Sequence, residues 1–318
     1  MSDDGFGVQL ARFNPIGAAG QRPSDPAYAG PRDPREPPAV RALLDALTGA
    51  AGPVAVTGEI AWRRQPALYR EHALFVTAAP GQAREQLACG ARVITVTGEQ
   101  AALAEQIAAA RAERPLTEAE TFLALREIFT AHATPVRLAG LARLAGLPGN
   151  LVTGRQIAVL ARVQDAAGAA VLAQRLARQR LAPAELVVAV AAQDGGASGH
   201  AVTAALGDLA RQGMTIRAIP EPVDVSGRAG WISHTAKTAR SPWVVPWQVG
   251  PEDREYGESY LLDLACAREC AQADAVGYGE EPGYAYVTSL NPVLARREFF
   301  GSGGPENSDR GLRLFSLS

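Results

Sequence analysis

The stretch ALFVTAAPGQAREQLACGARVITV (residues 73–96) decides the fold. ALFVTA (73–78) and RVITVT (92–97) are short runs of apolar and β-branched residues, the composition of buried strands. Between them QAREQLA reads as a short helix that ends at Gly90. A strand, a helix and a second strand in succession imply a parallel sheet with helices on its faces. In such sheets ligands sit where the carboxyl ends of strands meet helix N-termini. The helix start near Gly81 and Gln82 is placed to face a diphosphate, because free N–H groups and the helix dipole favour anions. Glu85, read as lying in the first helical turn, carries a carboxylate that can accept hydrogen bonds from both hydroxyls of a ribose. A Glu in a first turn also stabilises its helix on dipole grounds alone, and the spacing does not separate the two readings.

Outward from this unit the alternation continues. Upstream, PVAVT (53–57) reads as a strand and PALYREH (66–72) as a helix, with AVRALLDAL (39–47) a further amphipathic helix. Residues 14–38 are rich in Pro, Gly and Asp and read as an irregular linker, within an N-terminal segment 1–38. Downstream, EQAALAEQIAAARAE (99–113) and the segments 117–131 and 135–146 read as helices, the last stopping at Gly146 with Pro148 beyond. LPGNLVTG (147–154) reads as a domain boundary between a first module, 39–148, and a second, 155–318. The second module restarts the alternation. IAVLARV (157–163), ELVVAVAA (185–192), MTIRAIP (214–220) and PWVVPW (242–247) read as strands. Helical stretches lie between them, and YGESYLLDLACARECAQ (256–272) reads as a helix with one polar and one apolar face. The fold class is therefore α/β, two Rossmann-like modules with mostly parallel sheets.

Bulk properties narrow the function. The chain has 318 residues, with 31 basic and 33 acidic side chains and a formal net charge of -2. No basic excess or stripe points to a nucleic-acid partner. The longest apolar run, LVVAVAA (186–192), is far short of the ~20 residues of a membrane-spanning helix. The start MSDDGFGVQL lacks the basic and apolar regions of a secretory signal. Three cysteines, Cys89, Cys266 and Cys270, argue against a disulfide scaffold and for a reducing cytoplasm.

On these residues the first module resembles the donor-binding half of GT-B glycosyltransferases, in particular the CgeB-like spore-protein group. Its signature has the form F-E-x-L-A-C-G-x-x-V-V, on which Glu85, Leu87, Ala88, Cys89, Gly90 and Val93 fall. Arg84 departs from it, standing where the group has an aromatic or aliphatic residue. GVQLARFNPIG (7–17) is similar to the turn that enters this half, and FTAHATPVRLAGLARLAGLP (129–148) to the helix that closes it, so the resemblance covers roughly 5–148. It implies a nucleotide-sugar donor bound at Glu85, on the donor's ribose, and at Gly90. Arg63 and Arg64 are its candidates for the diphosphate, against the plainer reading of a solvated loop. The acceptor-side half of such an enzyme would precede residue 1.

The second module resembles family-2 glycosyltransferases of the GT-A type. IAVLARV, Gln179 with Glu185-Leu186-Val187-Val188, and a strand followed by Asp194 carry the likeness. Asp194 would contact the nucleotide. This class uses a divalent cation, Mn²⁺ or Mg²⁺, held by hard oxygen ligands against the diphosphate. Tyr256, Gly257, Tyr260, Leu261 and Asp263 match the family's segment after its acidic cluster, but the cluster itself is reduced to Pro251-Glu252-Asp253. Glu252 and Asp253 are thus the candidate metal ligands, and a solvated acidic turn is the alternative. GGPENSDRGLRLFSLS (303–318) resembles a shortened form of the segment that supplies the general base. Glu306 and Asp309 are its candidate catalytic residues, Asn307 replacing an expected Asp that an amide cannot imitate.

The remaining candidates are weaker. Cys266 and Cys270 are four apart, with no His near them in sequence to complete a metal site, and read as packed small hydrophobes. His72, His132, His200 and His234 are scattered through the sequence. DGGASG (194–199) lacks the Lys of a phosphate loop, and no strand is followed by G-x-G-x-x-G. Two expectations result. One is a cytoplasmic transferase moving a sugar from a nucleotide-diphosphate donor to a glycan, protein or small-molecule acceptor. The other is a catalytically impaired binding or scaffold protein that keeps the fold.

Overall fold

The structure is a computed structural model. It describes residues 7–18, 22–23, 25–29, 55–57, 62–77, 79–96, 100–148, 152–191, 197–221, 228–249, 256–278, 285–287, 294–301 and 313–317. The chain forms two compact units, Met1–Leu151 and Val152–Ser318.

In the first unit four strands form a parallel sheet: β1 (Ala27–Ala29), β2 (Ala55–Thr57), β3 (Leu74–Thr77) and β4 (Arg92–Thr95), in the order β2-β1-β3-β4. β3 pairs with β4 from Leu74↔Arg92 to Thr77↔Thr95, and its four residues are all buried, as expected for a central strand. The position of β1 corrects the reading of 14–38 as linker. Ala27 and Tyr28 are buried at the centre of the sheet, with Ala27 beside both Ala55 and Phe75. A three-residue strand is too short to show periodicity against Pro- and Gly-rich flanks. The preceding turn is also built in: Val8 N donates to His132 O and Thr134 N to Val8 O, at 2.8 and 3.0 Å.

Helices follow the strands as the alternation predicts: Gln65–Glu71, Pro80–Ala88 and Gln100–Ala112, then Glu118–Glu127 and Thr134–Leu144. Glu118–Glu127 starts at a full capping box in which Thr117 and Glu120 satisfy each other's backbone N–H. The segment AVRALLDAL lies outside the described residues.

The second unit holds an eight-stranded sheet, ordered β10-β12-β9-β11-β8-β5-β6-β7. Its parallel half is β5 (Ile157–Val163), β6 (Glu185–Val190), β7 (Thr215–Pro220) and β8 (Trp243–Trp247). These are the four segments of the second module that the sequence reading assigns to strands. The other half, β9 (Ala275–Tyr278), β10 (Ala285–Val287), β11 (Leu294–Arg296) and β12 (Leu314–Leu317), mixes antiparallel and parallel pairs. The helix Tyr260–Ala271 differs from the two-faced helix expected, since nine of its residues, among them Leu261, Leu264 and Cys266, are buried. Its small residues, Ala265, Ala267 and Ala271, let the backbone pack closely on more than one side.

Two residues that carry the family-2 resemblance have structural partners. Glu185, 3% exposed, accepts from Arg240 N (2.8 Å) and from Ser241 N (3.1 Å), and lies 2.9 Å from Arg217 Nε. Gln179 pins the start of the helix Tyr260–Ala271, donating to Gly257 O at 2.9 Å and accepting from Leu261 N at 3.1 Å. Both satisfy buried polar groups that would otherwise cost stability.

Candidate functional site

Of the residues singled out from sequence, Glu85 and Gly90 lie within the described part of the chain, and Asp194, Glu252, Asp253, Glu306 and Asp309 lie outside it. The site that can be built from described residues is therefore the one around Glu85, in the first unit.

The helix that carries Glu85 runs Pro80–Ala88 and has no acidic residue in its first turn. Glu85 thus sits in the second turn, one turn beyond the expectation, because the helix begins already at Pro80, a residue suited to a first helical position. The carboxylate gains little from the N-terminal dipole there, whose influence fades within the first turn. Instead burial raises its pKa from 4.5 to about 7, with the Arg12 guanidinium opposing the shift. Among the described residues no hydrogen bond or ion pair holds this carboxylate.

Arg12 comes from the turn 7–18. Arg70, at the end of the helix Gln65–Glu71, fixes that turn by donating from Nε to Asn14 O and from Nη2 to Arg12 O, both at 2.8 Å. Asn14 closes it internally, donating to Leu10 O at 2.7 Å. The Arg12 guanidinium carbon lies 3.7 Å from the ring centroid of Trp62 and 5.1 Å from that of Phe13. Partial burial lowers its pKa, and Glu85 is the largest influence holding it up. Its Nη2 is buried without a hydrogen-bond partner.

Beneath these groups lies Tyr69, fully buried, packed on Phe75 at 5.3 Å edge-to-face and on Phe13 at 5.9 Å. Burial raises its pKa, and the neighbouring Glu85 and Cys89 add to the shift. The Tyr69 hydroxyl faces the side-chain amide of Gln86, itself fully buried, but neither group completes a well-formed hydrogen bond. Cys89 is a buried thiol pushed up to about 12 by desolvation, which leaves it inert as a nucleophile.

Gly90 closes the helix. Its φ is +80°, Gly90 N donates to Leu87 O and Ala91 N to Gln86 O, the paired bonds of a Schellman turn. Arg22 caps the same turn, Nη1 donating to Cys89 O at 3.1 Å and Nη2 to Gly90 O at 2.8 Å. The glycine in this position is accounted for by the backbone.

The arrangement is thus an unpaired, half-buried carboxylate, a guanidinium with an unused donor, and an indole. It can accept from hydroxyl groups, donate to an anion and stack on a planar ring. Arg63 and Arg64 are exposed, Arg63 with its guanidinium carbon 6.0 Å from the Trp62 centroid. Sequence reasoning missed Arg12, Trp62, Tyr69 and Gln86. The quoted turn GVQLARFNPIG contained Arg12, but only the fold brings it beside Glu85.

No known protein family matches the sequence, and no curated protein matches it. Among solved structures the chain is similar to the Staphylococcus aureus protein TarS. Residues 1–349 of TarS match at 16% identity and a TM-score of 0.34, over 45% of this chain and 48% of that one. The longer TarS structure matches at 14% and 0.35, over 51% and 37%, and a complex of TarS 1–349 with UDP-GlcNAc at 15% and 0.33, over 45% and 46%. The chain thus spans less than half the length of these structures. Among the described residues no helix is long and apolar enough to cross a membrane.

Proposed function

We propose that the chain is a glycosyltransferase-type protein whose first unit binds a nucleotide-diphosphate sugar at Glu85 and Arg12. The observation that carries this reading is the unpaired Glu85 carboxylate, held in a setting that raises its pKa to about 7. A half-buried carboxylate without partners costs stability, and such costs persist where a ligand supplies the partners. Two vicinal hydroxyls of a ribose donate to one carboxylate with good geometry, and the free Arg12 donor suits an adjacent oxygen or phosphate. In the second unit, Asp194 is the proposed nucleotide contact. Glu252 and Asp253 are the proposed ligands of Mn²⁺ or Mg²⁺, which would neutralise the leaving diphosphate. Glu306 or Asp309 is the proposed base toward the acceptor hydroxyl.

The sequence itself supports a second reading, a binding or scaffold protein. Pro251 stands at the first position of the acidic cluster, and Asn307 replaces an expected Asp. Calorimetric titration of UDP and GDP, with and without Mn²⁺, separates the two. Metal-strengthened binding and donor hydrolysis, both lost in Glu252→Ala/Asp253→Ala, support the transferase. Binding indifferent to Mn²⁺, without hydrolysis, supports the scaffold.

A further inference from the structure

We infer that Trp62 is the platform on which the first unit stacks the base of its nucleotide. The inference rests on the nucleotide-binding reading of Glu85 and adds a residue that neither sequence pattern nor resemblance singled out.

Trp62 is 61% exposed, whereas Trp231, Trp243 and Trp247 are 5%, 7% and 0% exposed. A lone exposed indole is unremarkable by itself. Its surroundings are less ordinary. Arg12 lies 3.7 Å from its centroid, close enough to cover one ring face as a cation–π partner. Exposure of this extent leaves indole surface open to a ligand, with Arg63 no nearer than 6.0 Å to the centroid. The same Arg12 is the charge that acts on the Glu85 carboxylate, and its buried Nη2 has no hydrogen-bond partner. Trp62, Arg12 and Glu85 therefore present an aromatic face, a donor cation and an acceptor as one connected group.

A nucleoside diphosphate offers the complementary set: a planar ring, anionic oxygens and a pair of hydroxyl donors. Base–aromatic stacking accepts any base because each has a π-face, and its loss typically weakens binding on the order of tenfold or more. Arg12 adds to the platform by fixing the indole, so that little side-chain freedom is lost when the ring is covered. The turn bearing Arg12 is itself held by Arg70, which makes the group pre-organised rather than assembled by the ligand.

The test uses tryptophan fluorescence, to which Trp62 contributes the solvent-exposed component. UDP and GDP are titrated into the full chain, with inorganic pyrophosphate as the probe that lacks a base, and binding is measured in parallel by calorimetry. The expected result is quenching of the iodide-accessible emission by a nucleotide and none by pyrophosphate. Trp62→Ala should weaken nucleotide binding about tenfold, with Trp62→Phe retaining most of the affinity. Calorimetric binding that is unchanged in Trp62→Ala and causes no quenching overturns the platform and leaves the Glu85 reading standing. Absence of nucleotide binding to the wild-type chain overturns both.

Discussion

Arg22 clasps the turn at Gly90: its two terminal nitrogens donate to the consecutive carbonyls of Cys89 and Gly90, at 3.1 and 2.8 Å. A Cβ added at Gly90 would stand 3.1 Å from Arg22 Nη2, at a φ of +80° that L-residues rarely adopt. Gly90→Ala should therefore destabilise the first unit by about 1–2 kcal/mol from backbone strain alone. Arg22→Ala, which leaves two carbonyls without their charged donor, should cost about 1–3 kcal/mol. Denaturant unfolding followed by circular dichroism measures both. A neutral Gly90→Ala would mean that the turn is not built as described.

Glu85 should behave in the opposite sense. Folding raises its pKa from 4.5 to about 7, so between those values the folded state binds more protons than the unfolded chain. Its contribution to stability is fully present below pH 4.5 and is lost as pH rises through about 7. Glu85→Gln removes the charge and the pH dependence together. At pH 8 the variant should be more stable than the wild type by about 1–2 kcal/mol, a figure discounted for the water that still reaches the carboxyl. At pH 4 the two should be nearly equal. Thermal unfolding across this range reads the difference, and a wild type that gains stability between pH 5 and 8 relative to the variant would count against the unpaired carboxylate.

Glu185 offers the contrasting case of a carboxylate held by backbone donors on one oxygen and facing a guanidinium with the other. It accepts from Arg240 N and Ser241 N and faces Arg217, all within the second unit. Glu185→Ala strands these donors and should cost about 3–5 kcal/mol, while Glu185→Gln, which keeps an acceptor, should cost less. Urea titrations of the two variants should show that order. Nucleotide affinity at Glu85 should be unchanged in Glu185→Gln.

The legible part of the fold is the part with strong local signals. The runs at 157–163, 185–190, 215–220 and 243–247 are rich in apolar and β-branched residues, and each forms a strand of the parallel half. β1 leaves no local signal because Ala27-Tyr28-Ala29 is short and its burial comes from strands whose sequences lie far away. β9 to β12 are three or four residues each and depend on mutual pairing rather than on pattern. At the site, the sequence shows the helix and its glycine stop, but the helix begins already at Pro80, which puts Glu85 in its second turn. The meeting of Arg12, Trp62 and Glu85 could not be read at all, since it joins three segments through contacts that leave no periodic trace. Gln179 and Glu185, two of the residues that carry the family-2 resemblance, hold their surroundings in place through hydrogen bonds that the sequence pattern does not reveal.

The central claim, a nucleotide held by the carboxylate of Glu85, is tested most directly by calorimetric titration of UDP and GDP into wild type and Glu85→Gln at pH 8, alongside their melting curves. The account predicts binding of at least one nucleotide by the wild type and a loss of tenfold or more in Glu85→Gln, in a variant that melts no lower than the wild type. Equal affinity in the two proteins would contradict it and leave the unpaired carboxylate without its proposed ligand.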